Sequence, residues 1–195
     1  GETLITGIGQ GYTQTTPIQL CLMTAQIANG GYKIKPKILT DDNQLSSEKV
    51  RELIKDNNSI NPYVSLFKDP RNIKIVKQAM FSSTNEIRGT SYKSRIDNPK
   101  YQFAGKTGTA QVKRISKRER ELDLKTSEIP YNDRDHALYV AFGPYKNPDY
   151  ALSIIVEHGG SGSTTAAPMA TKLFRLIVDR HQMRKQNINL KKTYI

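Results

Sequence analysis

Apolar positions along this chain change their period near residue 100. Before that point they recur at three-to-four spacing, as on one face of a helix; after it they run in blocks of strand length. The first helical stretch is "TTPIQLCLMTAQIANGG", residues 15 to 31, with Thr16 placed to cap and Pro17 at the first helical position. Asn29-Gly30-Gly31 supplies the stop. Residues Ile18 to Ala28 are apolar on most sides, which predicts a buried helix. "YKIKPKIL" (32 to 39) reads as extended, because Pro36 disfavours helix there. One helix is expected over 47 to 57, and another from Asp69-Pro70 with Ile73, Val76, Lys77 and Met80 on its stripe. A loop from Ser82 to Asn98 follows.

Three strands are expected next, over 101 to 112, 135 to 145 and 149 to 159. The middle one, "DHALYVAFGPY", is nearly all apolar and predicts burial on both faces. "PYKNPDY" between the second and third is short and rich in turn formers, so these two form an antiparallel hairpin. A closing helix over 163 to 181 carries Ala166, Ala170, Phe174 and Ile177 on one stripe. Helices, then antiparallel strands, then a helix is the order of an α+β fold, an antiparallel sheet flanked by helices.

Composition narrows the function classes. With 195 residues and 36% hydrophobic content the chain fits one domain or most of one. Nothing in it approaches the apolar length of a membrane span, and no signal peptide is legible. It begins at Gly1 rather than methionine, so it is expected to be a piece of a longer protein whose front could carry an anchor. A single cysteine, Cys21, and three scattered histidines suggest neither a disulfide framework nor a metal site, and no cofactor is implied. The net charge of +12 raises the question of a polyanion partner. The basic residues gather in "KRISKRERELDLK" (113 to 125) and in the tail stretch "RHQMRKQNINLKK" (180 to 192), without interleaved aromatics, so no nucleic acid is expected as a partner.

Two glycine patterns fail their own tests. "GIGQG" (7 to 11) lacks the third glycine of a dinucleotide loop, since position 12 is Tyr12. "GKT" (105 to 107) lacks the first glycine of a phosphate loop, since position 100 is Lys100. What remains is Lys106-Thr107-Gly108-Thr109, small and polar residues inside a predicted strand. Alternation puts Thr107 and Thr109 on one face, and Gly108 lets a ligand or a second backbone approach. Two hydroxyls beside a lysine suit a carboxylate, because hydrogen bonds to a charged group are worth roughly 1.5 to 3 kcal/mol each. Strict alternation sends Lys106 to the other face, so its long stem must bring the ammonium round.

"GIGQGYTQTTPIQLCLMTAQIANGG", "NEIRGTS", "AGKTGTAQV" and "DHALYVAFGPYKNPDYALSIIVEHGGSGSTTAAPMATKLF" together, in that order, resemble the transpeptidase domain of class B high-molecular-weight penicillin-binding proteins, elongation type. The likeness covers about residues 1 to 31 and 76 to 178. It implies the C-terminal portion of that domain over 1 to 181, followed by a basic tail over 182 to 195. The fold implied is an incomplete form of the one shared by penicillin-binding proteins and serine β-lactamases. The activity implied is D,D-transpeptidation: a serine attacks the penultimate D-alanine carbonyl of a peptidoglycan stem peptide ending in D-Ala-D-Ala, and the acyl group passes to a neighbouring amine. β-Lactams would be trapped as analogues. Lys106 would supply charge and part of the proton relay, Thr107 and Thr109 would hold the terminal carboxylate across Gly108, and the Thr109 N–H would serve an oxyanion hole. The resemblance further implies elongation-complex membrane proteins as partners, contacted through the region upstream, and the periplasmic face of the cytoplasmic membrane as location.

The serine itself is not found. "SSEK" (46 to 49), "SLFK" (65 to 68) and "STN" (83 to 85) imitate the family's first two motifs, but all lie downstream of "GIGQG", where the family has them upstream. All three are read as decoys, and the chain alone is expected to be inactive. His136 is expected to be a hydrogen-bonded residue at a strand end, and Ser161 and Ser163 loop and cap hydroxyls. An inert split product and a basic binding module stand as the alternatives.

Overall fold

The computed structural model describes residues 1–7, 9, 11–36, 65–113 and 124–193, with side chains as far as 183. The helix expected over 47 to 57, the "SSEK" decoy and most of the basic segment 113 to 125 lie outside them. After a short helix α1 (Glu2–Gly7) comes α2 (Pro17–Ala28). Thr16 and Gln19 close a reciprocal capping box: the Gln19 N–H donates to Thr16 Oγ1 at 3.3 Å, and the Thr16 N–H donates to Gln19 Oε1 at 2.8 Å. At the far end Asn29 caps, and Gly30 and Gly31 turn the chain away with φ of 97° and 94°.

Burial of α2 differs from the expectation. Only Thr24 and Ala28 are buried, while Ile18 is 63% exposed and Met23 44%. The helix touches the sheet and its neighbour along one narrow stripe, with Cys21 Sγ 3.5 Å from the Ala151 carbonyl oxygen. Ile27 packs, half-buried, against Ala28, Met80, Ala104 and Phe142, so the large exposed apolar side chains of α2 are Ile18 and Met23.

Helix α3 (Pro70–Asn85) starts on Asp69, whose carboxylate accepts from the Arg71 N–H at 2.9 Å. It outruns the expected boundary at Ser82, because backbone groups beyond its end take the last carbonyls: the Glu86 N–H donates to Ser82 O at 3.1 Å and the Ser91 N–H to Ser83 O at 3.0 Å. Ile73, Met80 and Thr84 form its buried face; Val76, expected on that stripe, is exposed. Lys77 reaches across to the end of α2, donating to Ala28 O at 2.9 Å, and burial pulls its ammonium below the ordinary lysine range.

The sheet has three antiparallel strands in the order β1 (Ala104–Ala110), β2 (His136–Gly143), β3 (Tyr150–Val156). Register aligns Thr107 with Tyr139 and Tyr139 with Ile154. Ala137, Tyr139 and Ala141 on one face of β2 are fully buried under the closing helix, against Ala166, Ala170 and Phe174. The opposite face is covered only towards one end, where Ala104 and Phe142 meet Ala28 and Met80. Leu138 and Val140 are therefore half-buried, and β2 is sealed on both faces only from Ala141 to Gly143.

The closing helix enters through a π-type turn, Gly162–Ala166, and continues as α4 (Ala167–Thr193), past the expected end at 181. Val178, rather than Ile177, completes its buried stripe.

Candidate functional site

Lys106, Thr107, Gly108 and Thr109 all lie on β1, the edge strand away from β3. The backbone of Gly105 is already engaged outward: its N–H donates to Thr84 Oγ1 at 3.0 Å, and Phe103 O accepts from Asn85 Nδ2 at 2.9 Å. In an antiparallel ladder every second residue turns both its N–H and its C=O away from the partner strand. Phe103 and Gly105 fix that parity, so Thr107 and Thr109 also turn their backbone groups outward, to the free edge. Helix α3 caps the edge as far as Gly105, and among the described residues no strand pairs with it beyond.

The lysine does come round. Its side chain leaves the opposite face and folds over the edge, donating from Nζ to Thr107 O at 2.8 Å, with Thr107 Oγ1 at 3.5 Å. Charge, hydroxyl and outward backbone thus converge on one ledge, with Lys106 and Thr109 exposed and Thr107 and Gly108 half-buried.

Two close approaches hold this ledge in place. Tyr139 runs beneath Gly105, leaving no room for a side chain there, and its hydroxyl lies 3.0 Å from Thr84 Oγ1 and 3.0 Å from Ser91 Oγ. Burial raises the Tyr139 hydroxyl above the ordinary phenol range, so it stays protonated and can donate. On the same face Gly162, opening the π-type turn, sits against Gly108 and the Leu138 carbonyl, where a Cβ would strike both. Glycine at 162 lets the start of the closing helix meet the β1 backbone at Gly108.

Sequence reading missed the hydroxyls that α3 and its following loop bring to the ledge. Thr90 Oγ1 lies 3.2 Å from Thr107 Oγ1, and Ser83 Oγ lies 3.2 Å from Thr90 Oγ1. Nothing in the local pattern signals this, since a helix end and a loop supply the two groups. Among the decoys, Ser65 is consumed locally, donating to Phe67 O at 2.9 Å. Asn85 is tied to Phe81 and Phe103. His136 accepts from the His158 N–H through Nδ1 at 2.9 Å, a structural bond at the strand end. Ser161 and Ser163 bond each other at 2.9 Å, and no side-chain cap is formed at Ser161.

Residues 1–175 match the family described as penicillin binding protein transpeptidase domain. The peptidoglycan D,D-transpeptidase MrdA of Salmonella typhimurium is 37% identical over 181 residues, covering 92% of this chain and 27% of that protein. The Pseudomonas aeruginosa PBP2 structure in complex with WCK 5153 is 37% identical with a TM-score of 0.61, covering 90% of this chain and 32% of that one. A structure of Helicobacter pylori PBP2 in complex with MreC is 31% identical with a TM-score of 0.59, covering 89% and 27%. The chain spans little more than a quarter of the length of these curated relatives.

Proposed function

The chain belongs to the penicillin-binding protein transpeptidase family, with an antiparallel sheet and helices like those of PBP2, and from that premise we propose that it forms one wall of a peptidoglycan D,D-transpeptidase site. The observation that carries the proposal is the ledge itself: the Lys106 ammonium folded over the free edge beside Thr107, with the backbone of Thr109 turned the same way. Lys106 supplies positive charge and part of the proton relay. Thr107 and Thr109 hold the free carboxylate of a stem peptide ending in D-Ala-D-Ala, and Gly108 admits its backbone. The Thr109 N–H faces the carbonyl oxygen as negative charge develops there, a kind of contact worth about 2.7 to 4 kcal/mol to a transition state.

The nucleophilic serine, its lysine and the second motif come from residues outside this chain, and the chain alone neither transpeptidates nor acylates. Residues 1–181 act as the C-terminal portion of the transpeptidase domain and 182–195 as a basic appendage. β-Lactams acylate the longer protein as analogues of the peptide. The protein works at the periplasmic face of the cytoplasmic membrane with elongation-complex membrane proteins as partners; the MreC complex of the Helicobacter pylori relative supports that assignment.

Fluorescent penicillin tests this directly. Covalent label is expected on the longer protein and none on this chain alone. Label on the chain alone would overturn the reading of "SLFK" and "STN" as decoys, and no label on the longer protein would overturn the transpeptidase reading.

A further inference from the structure

Thr107 Oγ1 has two neighbours besides any ligand: the Lys106 ammonium at 3.5 Å and Thr90 Oγ1 at 3.2 Å. The ammonium only donates, and a hydroxyl carries one proton and two lone pairs. If Thr107 is to donate to an anion, Thr90 must donate into Thr107, and Ser83, 3.2 Å further back, must donate into Thr90. An anion at the ledge therefore selects one direction for the whole chain of hydroxyls, from Ser83 through Thr90 to Thr107, and each bond in such a chain polarises the next.

Thr90 is held where this requires. Gly89 lies so close to the end of α3 that a Cβ would strike the carbonyls of Ser82 and Ser83. On the other side of Thr90, the Ser91 N–H donates to Ser83 O at 3.0 Å and Ser91 Oγ donates to the same oxygen at 3.1 Å. The loop is pinned on both flanks of the threonine, so its hydroxyl is pre-set rather than a freely rotating surface group.

We infer that Thr90 is a positioning residue for carboxylate recognition: its hydroxyl, backed by Ser83, aims the Thr107 proton at the acid end of the substrate or of a β-lactam. The inference rests on the reading of the ledge as a carboxylate grip.

The test compares acylation of the full-length protein by one β-lactam as the free acid and as its neutral methyl ester, taking the ratio of the two second-order rates. Wild type is expected to prefer the acid strongly. Thr90→Val, which keeps the shape and removes the hydroxyl, is expected to lower that ratio about tenfold, the size of one hydrogen bond, with the ester rate nearly unchanged. Thr90→Ser restores it. If Thr90→Val slows acid and ester equally, or leaves the ratio at the wild-type value, Thr90 has no positioning role. If wild type itself shows no preference for the acid, the carboxylate reading of the ledge falls, and this inference with it.

Discussion

The Tyr139 hydroxyl lies 3.0 Å from Thr84 Oγ1, joining the middle strand to the end of α3 through the fully buried space beneath Gly105. The same hydroxyl meets Ser91 at 3.0 Å, so one side chain fixes both the helix end and the loop that carries Thr90. Tyr139→Phe removes it and leaves two buried hydroxyls short of a partner. A loss of about 1 to 3 kcal/mol in unfolding free energy is expected. Denaturant titration of the two proteins checks it; equal midpoints would show that Thr84 and Ser91 are satisfied without the phenol.

Lys106 reaches the edge by folding over its own strand, so charge and stem length both matter. Lys106→Ala in the full-length protein is expected to slow acylation by penicillin by roughly 100- to 10,000-fold, the range for losing a positioned proton-transfer group, with little change in unfolding midpoint. A drop of less than a few-fold would remove Lys106 from the relay.

Acid should loosen the closing helix at one identifiable contact. Asp179 accepts from the Tyr101 hydroxyl at 2.6 Å and from Lys100 Nζ at 2.9 Å, and these bonds, Tyr101 first, hold its carboxyl below the usual aspartate range. A carboxyl whose folded pKa is depressed adds stability that is present above its unfolded pKa and is lost as pH falls through the folded one. Thermal midpoints measured downward from pH 6 should therefore fall less steeply in Asp179→Asn than in wild type. Parallel slopes would mean the contact is too exposed to count.

Strand β3 has no strand on its outer side among the described residues, and α2 next to it shows Ile18 and Met23 to solvent. An open edge beside exposed apolar side chains favours association. The isolated chain is expected to self-associate at micromolar concentrations in sedimentation velocity. A monomer that unfolds in two states would show that the edge is protected.

Much of this was legible from local pattern. Thr16, Pro17 and the Asn29-Gly30-Gly31 stop bounded α2 correctly, because capping is decided by a few neighbouring residues. The three strands and their hairpin also followed from short apolar blocks and turn formers. Burial did not follow: the apolar surface of α2 says that a side chain would gain by leaving water, but not whether any partner is there to cover it.

The sequence by itself determined the elements, the α+β order and the Lys106-Thr107-Gly108-Thr109 run on a strand, together with the motif order that assigns the family. The elements and that run are properties of residues a few positions apart, and their order is read directly along the chain. Only the tertiary structure decided that α3 covers the edge as far as Gly105 and no further, that the lysine crosses to the threonine side, and that Ser83 and Thr90 stand behind Thr107. The physical reason is one of range: periodicity gives each side chain a face, whereas a hydrogen bond between hydroxyls 17 positions apart depends on where packing sets two backbones to within a fraction of an ångström.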